Sequence, residues 1–124
     1  MPNFRELDVW KRAVGFTTLV YRATRDFPEA EVFGLTSQMR RAALSIPLNV
    51  AEGAGSGSDP EYRRFVQIAL RSTYEVLTAI EIALNLDYLI KKSAVELAEE
   101  ANEIAALLGG LIRHLSKSTR RLKA

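Results

Sequence analysis

Between residues 97 and 115 apolar side chains return at alternating steps of four and three: Leu97, Ala101, Ile104, Leu108, Leu111 and Leu115. This is the seam of a helix packed along a bundle, widened on one flank by Ala98, Ala105 and Ile112. The same rhythm runs through Tyr62, Val66, Ala69, Thr73, Val76, Ile80 and Leu84, and through Leu7, Trp10, Val14, Thr17 and Tyr21. At about 100° per residue, Leu35, Met39, Ala42, Ile46 and Val50 also share one helix face. Strand-period alternation is almost absent. The pattern predicts an all-α chain of four helices. Short connections favour antiparallel neighbours, hence an up-down-up-down four-helix bundle.

Punctuation sets the expected boundaries. The first helix should run over about residues 6–25 and close at Phe27-Pro28, because the residue before proline leaves the helical region. A loop over 28–34 leads to the second helix, with Thr36 or Ser37 available as N-cap. That helix should end in the glycine-rich segment at Gly53, Gly55 and Gly57. Asp59-Pro60 reads as N-cap and first position of a third helix reaching about Leu89. Ser93-Ala94-Val95-Glu96 reads as a capping box opening the fourth. One domain spans 1–124, with a flexible basic tail over about 117–124.

Two helices carry more apolar surface than a monomeric bundle needs. The first has a second stripe, Ala13, Phe16, Val20, Ala23 and Phe27, and the second has Leu44, Leu48 and Ala51. Apolar helix faces outside a core are partner surfaces, so the chain is expected to associate with copies of itself. Between the apolar faces of the second helix lies a polar stripe, Gln38, Arg41, Ser45, Asn49 and Glu52. Its greasy flanks predict partial burial, and buried polar groups need partners, Glu52 or Glu75 for Arg41. Its role is either assembly or ligand binding, or else a hydrogen-bonded network that fixes helix register. Pro47 frees the carbonyl of Ala43 inside the helix.

Composition narrows the chemistry. The chain has 124 residues, 48% hydrophobic and 26% charged, the composition of one globular domain. With no cysteine, disulfides and thiolate metal sites are excluded, and a cytoplasmic location is expected. Arg5, Glu6 and Asp8 precede any apolar run, unlike a secretory signal. The longest apolar run, 104–112, falls far short of the roughly 20 residues of a membrane helix.

The net charge of +2 is too small to indicate nucleic acid by itself, but its distribution is uneven. After Glu103 there is no acidic residue, while Arg113, Lys117, Arg120, Arg121 and Lys123 follow. Much of this complements the helix dipole, and the remainder is a candidate phosphate surface. Arg40-Arg41, Arg63-Arg64, Lys91-Lys92 and Arg120-Arg121 are further basic pairs, with Tyr62 beside Arg63 as the aromatic candidate for base stacking.

Catalytic and cofactor sites are not expected. His114 is the single histidine, no Glu-x-x-His pair offers a bundle metal site, and the Gly53, Gly55, Gly57 spacing follows a helix and lacks a P-loop lysine. The chain therefore reads as a non-enzymatic binder or scaffold.

Leu7-x-Val9-Trp10, Tyr21, the run from Phe27-Pro28 through Glu31 and Phe33-Gly34-Leu35-Thr36-Ser37-Gln38, and Arg40-Arg41-Ala42-Ala43-x-Ser45-Ile46-Pro47-x-Asn49-x-Ala51-Glu52-Gly53 resemble the bacterial four helix bundle protein family. That family includes proteins encoded in intervening sequences of large-subunit ribosomal RNA genes, and the accessory variability protein of diversity-generating retroelements is similar to it. The resemblance covers about residues 4–112. It implies a bundle assembling into a barrel-like homopentamer, a role in binding RNA or a nucleoprotein, and no established enzymatic activity. A structural or adaptor role through protein contacts is the rival expectation. This chain departs from the family pattern twice: Gly55-Ser56 replaces Gly-Arg, and Arg71-Ser72 replaces Gly-Ser, which adds Arg71 to the candidate cations.

Overall fold

The computed structural model describes residues 3–123, with side chains described as far as residue 117. Helices α1 (Asp8–Ala23), α2 (Leu35–Ala54), α3 (Asp59–Asn85) and α4 (Lys91–Lys123) follow one another, with single 3-10 turns at Phe4–Glu6 and Glu29–Glu31. Each helix packs on its neighbours in sequence, and α4 closes on α1. The expected all-α bundle is the fold. The tail expected over about 117–124 falls on the end of α4, where the side chains from 118 onward lie outside the described residues.

The seams of α3 and α4 bury as their spacing predicts, with Val66, Ala69, Val76 and Ile80 facing Leu97, Ala101, Ile104 and Leu108 in one core. On α1 the ranking is reversed. Ala13, Phe16 and Val20 are fully buried, whereas Val14 and Tyr21 lie at the edge and are exposed. Both stripes have the same period, and nothing in α1 alone says which the bundle will choose. The second α1 stripe is therefore core, not spare surface. On α2 the surplus remains: Leu44 and Leu48 are 40% and 56% exposed.

Several helix ends differ from expectation for identifiable reasons. α1 stops at Ala23, before Phe27-Pro28, and Arg40 of α2 holds its end, Nε donating to Thr24 Oγ1 at 2.8 Å while the Thr24 hydroxyl donates to the carbonyl of Val20 at 2.8 Å. Arg40 Nη2 adds a bond to the carbonyl of Tyr21, and its guanidinium lies 4.7 Å from the Tyr21 ring centre. Neither Thr36 nor Ser37 caps α2. Instead Glu31 folds back, its Oε1 accepting from the Leu35 N–H at 3.1 Å, and its Oε2 accepts from the Tyr88 hydroxyl at 2.9 Å. Gly34 leaves room for this, since a Cβ there would stand 2.6 Å from Glu31 Oε1. Thr36 is buried, and its hydroxyl has no partner among the described residues. The hydrogen bond to Glu31, with burial adding to it, holds the Tyr88 phenol above its usual pKa.

α3 starts one residue earlier than Asp59-Pro60 suggests: Ser58 is the N-cap, its Oγ accepting from the Glu61 N–H at 3.3 Å. α3 ends at Asn85 instead of near Leu89, in a Schellman closure. Asp87 takes φ +60°, Tyr88 N–H reaches the carbonyl of Ala83 at 2.9 Å, and Asp87 N–H reaches that of Leu84 at 3.0 Å. α4 then begins at Lys91, with the Ala94 N–H on the carbonyl of Ile90, so the Ser93-Glu96 box lies inside the helix.

Two features of α2 set the spacing of the bundle. The helix runs unbroken through buried Pro47, and the Ala43 carbonyl that the proline leaves free lies 3.1 Å from the Thr17 hydroxyl of α1, whose one hydrogen is shared with the nearer Ala13 carbonyl at 2.7 Å. Near its other end, Gly53 lets α3 approach closely: a Cβ there would meet Tyr62 Cδ1 and Phe65 Cβ at 2.9 Å. Gly53→Ala is expected to destabilise the fold by about 1–3 kcal/mol, the usual range for an overpacked contact, read as a lowered denaturant midpoint at unchanged slope. An unchanged midpoint would show that α2 and α3 separate there without cost.

Candidate nucleic-acid interface

The antiparallel order brings the start of α3 to the end of α4. Arg63 leans across that seam, its Nη1 donating to Ser116 Oγ at 3.4 Å, and so stands beside the α4 turn that carries Arg113 and Lys117. Arg113 folds back over two helical glycines, where a Cβ on Gly109 would lie 3.5 Å from Nη1 and one on Gly110 3.8 Å from Nη2. Arg113 and Lys117 are exposed. Arg63, Arg113 and Lys117 therefore form a cationic seam on a stretch of α4 that contains no acid after Glu103. The side chains of Arg120, Arg121 and Lys123 lie outside the described residues.

The other candidate cations stand elsewhere. Arg64 is on the outer face of α3, bound to Glu61 through Nη2–Oε2 at 3.1 Å and lying 4.8 Å from the Phe65 ring centre. The pair holds the Glu61 carboxyl below its ordinary pKa, first by hydrogen bonding and then by charge. Arg71 lies two turns further along the same outer face, about 18 Å from the start of α3 at 1.5 Å per residue. It does not replace the missing loop arginine. At the loop, the Ser56 hydroxyl donates to the carbonyl of Gly53 at 2.7 Å and closes the end of α2. Tyr62, proposed for stacking, packs against the core and is half-buried; burial raises its phenol pKa. Arg40 is occupied in holding the end of α1. Lys91 and Lys92 are exposed at the opposite end of the bundle.

The polar stripe of α2 borders the crevice between α2 and α3. Ser45 Oγ and Ser72 Oγ meet at 2.8 Å across it, and Asn49 Nδ2 donates to both the carbonyl and the hydroxyl of Ser45. Ser72 is buried and Ser45 and Asn49 are partly buried; the Ser45–Ser72 bond fixes the two helices in register, whereas Gln38, Arg41 and Glu52 are exposed. Arg41 is not the buried, carboxylate-paired group expected; it makes no ion pair among the described residues. The long side chain reaches water past the small residues beside it, a route that helical spacing does not reveal. The crevice widens next to this stripe into a groove of about 460 Å³ that includes Leu35, Arg71, Tyr74, Ala79 and Ile82. Tyr74 is 54% exposed and is the aromatic residue at this groove, one that the sequence alone did not single out. Its spacing on α3 put it on the outer face, beside Arg71, and that was the available signal.

The model of one family, the 23S rRNA-intervening sequence protein, matches residues 5–110. The chain belongs to that family. The chain is also similar to the crystal structure of a protein with unknown function from the S23 ribosomal protein family from Bacteroides thetaiotaomicron. The TM-score is 0.76 at 21% identity, over 84% of this chain and 97% of that one. At that identity the likeness concerns the fold. No curated protein matches the chain.

The two neighbouring arginines of α2 should respond oppositely to truncation. Arg41→Ala is expected to change stability by no more than about 0.5 kcal/mol, as for an exposed, unpaired side chain. Arg40→Ala should lower it by about 1–3 kcal/mol, because hydrogen bonds to a charged group are lost at the end of α1. Chemical denaturation of the two variants checks both. Equal effects would contradict the assignment.

Proposed function

We propose that the protein is a non-enzymatic, self-associating bundle that binds RNA in the cytoplasm through the α3/α4 cationic seam. The observation that carries the reading is the meeting of Arg63 with the acid-free turn of Arg113 and Lys117. Three cations on rigid helices suit phosphate contacts, which give binding that is insensitive to sequence and steeply dependent on salt. Exposed Leu44 and Leu48 support association between copies, and the family resemblance supports a ring of five. A ring would repeat the seam and raise the effective concentration of each weak site. His114 is exposed, and among the described residues no group of three or more His, Asp or Glu side chains is placed to hold a metal. No helix among the described residues is long and apolar enough to cross a membrane.

A second reading, an adaptor that works through protein contacts alone, is favoured by the opposite end of the bundle. There Phe33 is 96% exposed and Ile90 70%, on two loops tied together by the Glu31–Tyr88 hydrogen bond. Light scattering and RNA titration separate the readings. The wild type should have a mass well above 13.8 kDa, near five copies for a pentamer. It should bind a structured RNA hairpin with affinity that falls steeply between low and moderate salt. Replacing Arg63, Arg113 and Lys117 with glutamine should weaken binding and reduce the logarithmic salt slope by roughly 2–3, leaving the mass unchanged. Absence of binding at low salt would leave the adaptor reading standing.

A further inference from the structure

The groove between α2 and α3 is not used by the cationic seam, and its chemistry is mixed in a particular way. One stretch, about 460 Å³, has Leu35, Ala79 and Ile82 as apolar walls with Tyr74 at the rim. A second stretch, about 290 Å³, continues from it through Gln38 and Glu75, which border both, towards Ser45 and Ser72. Volumes of this order suit one small-molecule-sized group, bound by apolar walls and a few placed polar groups. Arg71 stands on the α3 wall and Arg41 on the α2 wall, both exposed and without an ion pair among the described residues. Two cations facing one groove call for an anion, and an exposed tyrosine ring beside an arginine calls for a planar ring to stack on. Glu75 borders both stretches as a hydrogen-bond acceptor, so a ligand seated there must bring a donor as well as an anionic group.

We infer that this groove receives a nucleotide unit. The ring lies against Tyr74 over the apolar walls, the phosphate sits between Arg41 and Arg71, and Glu75 accepts from a ribose hydroxyl or a base amine. The nucleotide comes either free or from a single-stranded stretch of RNA, and only the second source rests on the RNA-binding reading proposed above. Arg71 and Arg64 lie two turns apart on one outer face of α3, which favours the second. Charge and stacking favour a nucleotide over a second copy of the chain, for which the two cations would need an acidic insert.

The test uses the full-length protein and three probes: a blunt RNA hairpin, the same hairpin with a single-stranded extension, and a nucleoside monophosphate. The extension should tighten binding by about tenfold or more, the effect of stacking one base. Tyr74→Ala should erase that gain and Tyr74→Phe should retain it. Arg41→Gln combined with Arg71→Gln should also erase it, with blunt-hairpin affinity unchanged in every variant. Tyr74 is exposed, and light scattering and thermal melting of each variant confirm that the fold and assembly are intact. Equal affinity for blunt and extended hairpins, with no nucleotide binding, overturns the groove assignment while leaving the seam in place. Nucleotide binding that Tyr74→Ala abolishes, without hairpin binding, supports the groove and removes the seam. If Tyr74→Ala changes the molecular mass, the groove is a subunit contact and the inference falls.

Discussion

Pro47 removes one amide hydrogen from the middle of α2, and the carbonyl of Ala43 is left without its helical partner in a buried position. A buried carbonyl of this kind costs on the order of 1–3 kcal/mol if nothing replaces the bond. The Thr17 hydroxyl, 2.7 Å from the carbonyl of Ala13 in its own helix and 3.1 Å from that of Ala43, shares its single hydrogen between the two and offsets part of the loss. This contact fixes α1 against α2 at one level and in one rotation, with Ala13, Phe16 and Val20 inward and Val14 and Tyr21 outward. On its other side, α2 lacks a side chain at Gly53, which lets α3 come close, and carries Ser45, whose bond to Ser72 sets the register of α3. α2 thus orients both neighbours through what it lacks. The positions of Arg63 beside α4 and Arg71 above the groove follow from the resulting rotation of α3.

Local pattern carried most of the fold because helical spacing is a local property. The α3 and α4 seams, the start of α3 near Asp59, and the glycine-rich turn after α2 were legible for that reason. The misread positions are those where a distant group decides. Two apolar stripes on α1 are equivalent until Thr17 meets Ala43. Thr36 and Ser37 are both good caps in isolation, but Glu31 reaches the Leu35 amide first and also anchors Tyr88, 57 residues away in sequence. Asp87 occupies a left-handed position where glycine would have given a signal, so the end of α3 was placed several residues too late.

The charged residues divide the same way. From sequence, Arg40 and Arg41 are a basic pair; in the fold one holds the end of α1 and the other stands in solvent at a groove. Arg63 and Arg64 divide likewise, one crossing to α4 and one bound to Glu61. Adjacent helical residues point about 100° apart, so a basic dipeptide on a helix is rarely a single site. The polar stripe of α2 is similarly mixed: Ser45 serves helix register and Asn49 bonds to it within α2, while Gln38 and Arg41 border the groove. Family membership and fold rest on the whole length of the pattern, whereas the candidate site depends on which side of each helix a single arginine occupies.

The dependence of the bundle on α2 is tested most directly by a double-mutant cycle at Thr17 and Pro47. Thr17→Val keeps the shape but removes the hydroxyl, and should cost about 1–3 kcal/mol in the wild-type background. Pro47→Ala restores an amide that can bond the Ala43 carbonyl within α2. In that background the cost of Thr17→Val should shrink, leaving a coupling of about 1 kcal/mol or more in denaturant unfolding. Additivity within about 0.5 kcal/mol, the behaviour of independent sites, would contradict the account.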